Sequence, residues 1–454
     1  MLFQEIYDRF CAQHPLSVST RLLMQHVFDA KRVDALFRDT SEQQYEKTLL
    51  FSTLIDLMLP VIAKTAPSVH AAYQRAKTPI GVSVQSIYNK LNRLEPATAV
   101  RLVQHTVTAL TPVLAELQAD YAPLVPGYRT RILDGNHLGH TDKRLAVLSD
   151  CAAAALPGTC LVVLDAERRL AVHVLPCEDA HAQERSLTPE VLACVQPEEV
   201  WIADRNFCTV ALLLGIAARQ GGFVIREHKN LPWRALGPLL ARGRCASGEL
   251  WEQPIRIENR ATGAALEARR IVVRLDTPTR DDEEEIALLT NLPSEVSPEV
   301  AAGAYRHRWT LEAMFLQLAR DLRSELDTLG YPKAALFGFC LGLCAYHLLS
   351  TLHAALRATH GQGTTDQNIS PYYIALESGY GLTALGSLLS PPEWDQLQPA
   401  TPQLLATEVH RLVGLVPLRT LKKHPRGPKK PSRAKTAFRH TPHVSTYRLL
   451  SDSG

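Results

Sequence analysis

Hydrophobic positions in the first 125 residues recur every three or four residues, the spacing of amphipathic helices. Such patterns begin at Leu22 and cover residues 48–63 and 98–118. A helix with this spacing turns an apolar stripe toward a core and a polar stripe toward solvent. We therefore predict an α-helical N-terminal domain over residues 1–125.

One helix of this region has a second interpretation. Residues 83–95 begin with Ser83, a favourable N-cap residue, and carry polar and basic side chains between apolar ones. The segment resembles the second helix of a helix-turn-helix, which enters a DNA groove. A bundle helix with solvated Asn and Lys side chains has the same pattern, so both interpretations stay open.

After Pro126 and Gly127 the pattern changes to short apolar runs that are typical of strands. Strand patterns alternate with helical patterns, which predicts an α/β domain with a mixed sheet. The residues from 233 to 292 contain strand patterns alone and predict a β-rich insertion. The predicted strands before it are 130–136, 161–165, 170–176, 199–204 and 222–228, and the predicted helices are 187–195 and 209–220.

Helical spacing returns over residues 298–358. Within this region, residues 304–323 predict one helix that carries Tyr305, Arg308 and Glu312 on the same face. The most apolar run, 334–356, contains two histidines and a serine and is interpreted as a buried helix rather than a membrane span. Residues 360–415 predict loops and short helices.

Composition places the chain among globular proteins of a reducing compartment. Of its 454 residues, 46% are hydrophobic and 21% are charged, which is typical of a protein with a large core. The nine cysteines include no C-x-x-C pair, which argues against a disulfide framework. Acidic side chains interrupt the N-terminus, where a signal peptide would be apolar, so we expect a cytoplasmic protein.

Positive charge is concentrated at the C-terminus, although the formal net charge is only +3. Residues 419–448 are rich in Lys, Arg and Pro and contain no Asp or Glu. Such a segment cannot build a core, so the tail over 419–454 is predicted to be extended or disordered. It would either lie against DNA phosphates or only keep the chain soluble.

Three carboxylates are the candidate catalytic groups. Asp134 and Asp204 each stand where a predicted strand ends, and Glu312 lies on the predicted helix after the β-rich segment. Ligands bind at the carboxyl ends of strands in α/β sheets, so we expect the acids to converge there. Converging carboxylates repel one another unless cations neutralise them, and their hard oxygen atoms favour Mg²⁺ or Mn²⁺. Two such ions ~4 Å apart would suit phosphodiester cleavage.

The motifs around these acids resemble those of a known family. Leu133-Asp-Gly, Ala203-Asp-Arg and Tyr305-x-x-Arg308-x-x-x-Glu312 are similar to the three acid motifs of bacterial cut-and-paste DDE transposases of the insertion-sequence-four family. The resemblance spans residues 130–325 and implies a ribonuclease-H-like catalytic core with a β-rich insertion. It also implies a nucleoid-associated homodimer that binds double-stranded DNA, both the terminal inverted repeats of a mobile element and target DNA.

The resemblance further implies roles for single residues. Asp134, Asp204 and Glu312 would be the ligands of two Mg²⁺ or Mn²⁺ ions per active site, and Tyr305 and Arg308 would hold DNA phosphates near the cleaved end. Water would first free a 3′-OH, which would attack the opposite strand to form a hairpin. The opened end would then attack target DNA.

The corresponding domain division has six parts. They are a helical DNA-binding domain (1–125), the first part of the catalytic domain (126–232), the β-rich insertion (233–292), the second part of the catalytic domain with the Glu312 helix (293–358), a C-terminal helical or loop region (359–418) and the basic tail (419–454).

Two positions depart from the family pattern. The family usually places Lys seven residues after the Glu, but this chain has Ala319 there. The adjacent Arg320 is the candidate DNA contact in its place, although it points about 100° away around a helix and is an imperfect substitute. Ile286 stands where some members have an aromatic residue that stacks on a flipped base. A catalytically decayed DNA-binding protein that occupies terminal repeats is therefore the alternative, and a metal-dependent nuclease without strand transfer is a third hypothesis.

Other polar residues have weaker functional interpretations. Arg226 and Lys229 follow a strand of the catalytic sheet and are either contacts to the DNA backbone or ordinary surface residues. The remaining candidates are interpreted as structural: the turn residues His137, His140 and Asp165, the solvated hairpin tip 281–285, and the core residues Cys340, Cys344 and His347.

Overall fold

The computed structural model describes residues 2–44, 46–76, 80–139, 145–148, 154–279, 282–326, 328–388, 391–424 and 443–452. Its N-terminal part is helical, as the hydrophobic spacing predicts. The helices are α1 (Leu2–Gln13), α2 (Pro15–Val27), α3 (Ala30–Thr40), α4 (Phe51–Ile62), α5 (Val69–Arg75), α6 (Val84–Arg93) and α7 (Pro96–Leu117). The predicted cap of α6 is confirmed, because the Ser83 hydroxyl oxygen accepts the Ser86 N–H at 3.2 Å.

Strands and two helices follow in the middle of the chain. The strands are β1 (Arg129–His137), β2 (Ala154–Leu156), β3 (Thr159–Asp165), β4 (Leu170–Cys177), β5 (Glu199–Ala203), β6 (Gly222–Arg226), β7 (Arg234–Ala235), β8 (Leu240–Cys245), β9 (Gly248–Glu258), β10 (Ala265–Leu275) and β11 (Glu285–Thr290). The helices α8 (Thr188–Cys194) and α9 (Val210–Ala218) precede β5 and β6.

Ten of these strands form one mixed sheet in the order β4-β3-β1-β5-β6-β11-β10-β9-β7, with β8 also paired to β9. The first three strands in sequence within this sheet, β1, β3 and β4, are antiparallel neighbours. On the other side of β1, strands β5 and β6 run parallel to it. The predicted α/β class with a mixed sheet is confirmed.

The β-rich segment extends this sheet and does not form a separate layer. Strand β11 pairs antiparallel with β6, with Leu289 opposite Ile225, and β10 and β9 follow outward. The β11–β6 pairing joins residues that are more than sixty positions apart, so local periodicity gave no sign of it. Strand β7, which begins at Arg234, belongs to the same sheet as β6, and the predicted domain boundary at residue 233 stays a prediction.

The C-terminal half is more helical than its sequence pattern predicts. Its helices are α10 (Pro298–Arg306), α11 (Trp309–Arg320), α12 (Pro332–His360), α13 (Gln362–Asn368), α14 (Pro371–Leu388), α15 (Pro391–Leu397) and α16 (Pro402–Gly414). The prediction of loops and short helices over 360–415 is therefore wrong for α14, which has 18 residues. The prediction of one helix over 304–323 is also wrong, because a turn at residues 307–308 separates α10 from α11.

Helix α12 lies at the centre of the helical layer. Among the described residues it is the one helix long and apolar enough to cross a membrane, and 94% of its most apolar window is buried inside the protein. It packs against α7, α16 and α4 and against strand β4. The predicted buried helix is confirmed, and Cys340, Cys344 and His347 are buried core residues as expected.

One apolar core joins the two ends of the chain. It contains side chains of α2, α7, α12 and α16 together with one face of the sheet, and runs from Tyr7 to Leu421. A second cluster lies on the opposite face of the sheet under α8 and α9. The sheet is thus covered by helices on both faces.

The end of the chain also returns to the body of the protein. Residues His443–Ser445 form a strand, β12, that pairs in parallel with β2, and α17 (Thr446–Asp452) follows it. Arg448 of α17 forms an ion pair with Asp179 at 2.8 Å. The prediction of an extended or disordered tail is wrong for these residues, while 425–442 lie outside the described residues.

A buried ion-pair network holds three strands of the sheet together. The Arg131 guanidinium on β1 donates to Asp165 on β3 and to Glu199 on β5, each at 2.7 Å. All three side chains are less than a tenth exposed. Asp165 was predicted to be a turn residue; it does accept the N–H of Arg168 at 2.9 Å, but it is also half of a buried ion pair.

His347 is a buried histidine with both ring nitrogens hydrogen-bonded. Its Nε2 accepts the Ala171 N–H at 2.9 Å, so its proton is on Nδ1, which lies 2.6 Å from the Thr106 hydroxyl. Burial lowers the pKa of His347 to about 3. The folded protein therefore holds this imidazole neutral, whereas the unfolded chain binds a proton below about pH 6.5.

This difference predicts an acid-sensitive core. Because the folded pKa is depressed, the contribution of His347 to stability is complete above about pH 6.5 and is lost as the pH falls toward 3, by up to ~1.4 kcal/mol per pH unit. Denaturant unfolding at several pH values between 7 and 4 measures the slope. A His347→Gln variant should show a shallower slope than the parent, and an equal slope in the two proteins would contradict the assignment.

Candidate active site

Asp134 and Asp204 lie side by side on neighbouring parallel strands. Leu133 of β1 is in register with Ala203 of β5, so Asp134 and Asp204 are the residues that directly follow this aligned pair. Strands lie about 4.8 Å apart, which brings both carboxylates to one place. Asp134 was predicted at or near a strand end, and β1 continues for three residues beyond it. The strand that ends at this point is β5, whose last residue is Ala203.

The two acids are held in different ways. Asp134 shares its face of the sheet with Ile132, which packs in the larger core, and its Oδ1 accepts the Gly135 N–H at 2.9 Å. Asp204 caps the short helical turn Arg205–Phe207 by accepting the Asn206 N–H at 2.7 Å. Both carboxylates are therefore oriented by backbone N–H groups.

Glu312 reaches the strands through Arg308. The Arg308 Nη1 donates to Asp134 Oδ2 at 3.0 Å, and its Nη2 lies 2.7 Å from Glu312 Oε1. The Arg308 and Asp134 side chains are 13% and 18% exposed, while Glu312 is 36% exposed. The structure thus brings together Asp134, Asp204, Arg308 and Glu312, as their sequence motifs predicted.

The turn at residues 307–308 gives Arg308 this position. Ser297 caps α10 by accepting the Val300 N–H at 3.2 Å, and Tyr305 is in its last turn. Glu312 is in the first turn of α11, whose Leu311, Met314 and Leu318 are buried. Residues 307–308 contain neither Pro nor Gly, so no residue type predicts the break.

The electrostatics of the site show crowded negative charge. Burial raises the pKa of Asp134 to about 6; the Arg308 guanidinium and the Gly135 N–H oppose this, and the charges of Asp204 and Glu312 add to it. Burial alone would lower the pKa of Arg308, but the neighbouring Tyr305, Asp134 and Glu312 raise it above its usual value. The three acids are therefore close enough for their charges to interact.

The carboxylates of the site are of the kind that bind a divalent cation, and the Arg308 guanidinium lies between two of them. Among the described residues, no group of three His, Cys, Asp or Glu side chains is arranged to hold a metal ion. Arg308 lies between Asp134 and Glu312 and supplies the positive charge that these carboxylates require. Carboxylate oxygen atoms are the ligands that Mg²⁺ and Mn²⁺ favour, so the chemistry of the residues fits these ions.

Tyr305 and Arg226 lie beside the acids. Burial raises the pKa of Tyr305; Arg308 and Arg226 oppose the shift, and the charge of Asp204 adds to it. Arg226 is the last residue of β6 and forms an ion pair with Glu283. Lys229 follows in an exposed loop. The predicted DNA contacts Tyr305 and Arg226 are thus near the acids, whereas nothing here places Lys229 against them.

The two departures from the family pattern are also visible. Both carboxylate oxygens of Asp321 accept hydrogen bonds from the Arg320 guanidinium, at 2.6 and 3.1 Å. Ala319 is exposed and carries no charge. Ile286 lies within β11, opposite Val273, and packs against the core. No described contact connects Arg320 with Asp134, Asp204 or Glu312.

Sequence reasoning missed a fourth carboxylate. Glu184 lies so close to β1 that a Cβ on Gly135 would be 1.9 Å from its Oε1. Burial raises the pKa of Glu184, and the charge of Asp204 adds to that shift. Gly135 therefore leaves space for a carboxylate and does not mark a turn. His137, predicted to be a turn residue, is the last residue of β1, and His140 lies outside the described residues.

Comparisons with known proteins give a distant structural likeness. No family model matches the chain, and no curated protein sequence matches it. The structure is similar to the cryo-EM structure of a piggyBac transposase synaptic complex with hairpin DNA, with 12% sequence identity and a TM-score of 0.38, over 89% of this chain and 86% of that chain. A likeness at this level assigns neither family nor function, so both have to be inferred from the site.

Proposed function

We propose that this protein is a DNA transposase that uses Asp134, Asp204 and Glu312 to cut and join the ends of a mobile element. The observation that carries the proposal is that Arg308 bridges Asp134 and Glu312, while Asp204 follows the strand that is paired with the Asp134 strand. They come from positions 70 and 108 residues apart along the chain, and each belongs to one of the motifs that resemble the insertion-sequence-four family.

The strand order supports a ribonuclease-H-like core. Strands β1, β3 and β4 form an antiparallel meander, and β5 and β6 continue the sheet in parallel on the other side of β1. In this arrangement Asp134 of β1 lies beside Asp204 at the carboxyl end of β5, and carboxyl ends of strands are the usual place for a ligand in such sheets.

The chain's own residues have distinct proposed tasks. Asp134, Asp204 and Glu312 would hold two Mg²⁺ or Mn²⁺ ions, which when bound activate the attacking oxygen and stabilise the leaving oxygen of a phosphodiester. Tyr305 and Arg308 would hold DNA phosphates, since the planar guanidinium fork matches a phosphate as it matches the two carboxylates here. The proposed partners are double-stranded terminal repeats, target DNA and a second copy of the chain.

The test is Mg²⁺-dependent cleavage of a duplex that carries the inverted repeat flanking the gene. A transposase of this type should give hairpin-ended products and, with added target DNA, joined products. Denaturing gels separate these species. Linear cut ends without joining would indicate a nuclease, and absence of any metal-dependent product would contradict the proposed activity.

Two observations favour the alternative, a decayed DNA-binding protein. Arg320, which is adjacent to the position where the family has lysine, is already hydrogen-bonded to Asp321. Ile286 in β11 cannot stack on a base as an aromatic ring does. Such a protein would bind terminal repeats with strong salt dependence and would give no product at any Mg²⁺ concentration.

A further inference from the structure

Two arginines beside the acids converge on a single carboxylate. Arg205 Nη1 lies 3.1 Å from Glu283 Oε1, and Arg226 Nη2 donates to Glu283 Oε2. Arg205 directly follows Asp204, and Arg226 ends the strand next to β5. The three side chains are 50%, 21% and 28% exposed in the order Arg205, Arg226, Glu283, so solvent reaches the bridge.

The turn between β10 and β11 positions Glu283. Its backbone N–H donates to the Thr279 hydroxyl at 3.2 Å, and its carbonyl accepts the Thr279 N–H at 3.0 Å. The next acid but one, Glu285, faces away and pairs with Arg274 of the neighbouring strand at 2.8 Å. The acidic run was predicted to be a solvated hairpin tip, but Glu283 reaches across β11 and β6 toward the acids.

Two guanidinium groups around one pair of carboxylate oxygen atoms form a binding site for an oxyanion. Arginine forks bind carboxylate and phosphate with the same geometry, and a DNA strand supplies phosphates wherever its backbone passes. Arg226 is also near Tyr305, whose neighbour in the site is Arg308. This oxyanion-binding site therefore adjoins Tyr305 and Arg308, which would hold the reacting DNA strand.

We propose that Arg205 and Arg226 form a phosphate-binding site for the DNA strand beside the acids, and that Glu283 occupies this site until DNA displaces it. This inference rests on the proposed function, because it assumes that DNA lies across the acids. Displacement leaves the Glu283 carboxylate near a phosphate, so Glu283 weakens DNA binding, and removal of its charge strengthens it.

The experiment measures the affinity of each variant for a labelled duplex by fluorescence anisotropy, in EDTA so that no cleavage occurs. Glu283→Gln keeps the size of the side chain and removes its charge. It should bind the duplex roughly fivefold to tenfold more tightly than the parent at low salt. Glu285→Gln changes the net charge equally, two residues away, and should bind as the parent does.

A double-mutant comparison separates this role from a general effect of charge. Replacing both arginines by Gln should weaken binding and make the slope of log affinity against log salt shallower by about 0.9 for each lost phosphate contact. Adding Glu283→Gln to that variant should bring no further gain, because the residue acts through the two arginines. Thermal unfolding of each variant checks that it is folded.

The outcomes are distinct. An equal gain from Glu283→Gln with and without the arginines, or equal affinity of Glu283→Gln and Glu285→Gln, would overturn the proposed site and leave the transposase proposal standing. A parent protein that binds no duplex in a salt-dependent way would overturn both.

Discussion

Asp134→Asn is expected to slow Mg²⁺-dependent DNA cleavage by roughly 10³-fold while duplex binding is retained. The asparagine keeps the shape of the side chain but removes one of three charges that would hold the cations, and a loss of ~4 kcal/mol of transition-state stabilisation corresponds to this factor. Binding is retained because the change removes negative charge beside the DNA. Asp204→Asn and Glu312→Gln should have effects of similar size.

A matched control lies at the opposite end of the sheet. Asp120 pairs with Arg168 at 3.2 Å next to the turn between β3 and β4, and both side chains are at least a third exposed. Asp120→Asn should cleave as fast as the parent. Single-turnover cleavage and anisotropy, measured on the same duplex, separate chemistry from binding. Cleavage by Asp134→Asn at the rate of the control would remove Asp134 from the active site.

Arg131→Ala is expected to destabilise the fold by about 3–5 kcal/mol, because it leaves two buried carboxylates without a cation. Asp165 and Glu199 are 9% and 5% exposed, and each is bonded to Arg131 at 2.7 Å. Glu199 would keep the Trp201 indole N–H as a donor at 3.2 Å, and Asp165 would keep backbone N–H groups. These neutral donors replace only part of the lost interaction.

Chemical denaturation of the parent and the variant measures this loss. Arg256→Ala provides the comparison, since its ion pair with Glu258 is 37% and 51% exposed and should contribute less than ~1 kcal/mol. Arg131→Lys keeps the charge without the planar fork and should fall between the two. A loss in Arg131→Ala no larger than in Arg256→Ala would show that the network adds little to stability.

Sequence reasoning brought the three acids near one another more reliably than it described their surroundings, and their catalytic role stays a prediction. The motifs that contain Asp134, Asp204 and Glu312 could be recognised in the sequence. The break between α10 and α11 does not separate Arg308 from Glu312, although the prediction of a single helix over 304–323 was wrong. The positions of Asp134 and Asp204 follow from strand patterns and from the rule that ligands bind at strand ends. Ribonuclease-H-like topology, the metal ions and the domain boundaries stay predictions.

The missed residues depend on pairings between distant segments. Glu184 and Glu283 reach the site only because a short helical turn and the β10–β11 turn are folded against it, and neither lies in a recognisable motif. Arg131 was invisible for the same reason, since its partners are 34 and 68 residues away. Local spacing identifies residues on one element, whereas these contacts are set by the order of strands in the sheet.

The apolar core shared by both ends of the chain limits how this protein can be divided. Helix α2 packs on α14 and α16, and α7 packs on α12, so the first 125 residues bury their stripes against partners encoded more than 200 residues later. Excised alone, they would expose those stripes to water and aggregate. Recombination or engineering could therefore not exchange the N-terminal helices alone without also replacing the helices that cover them.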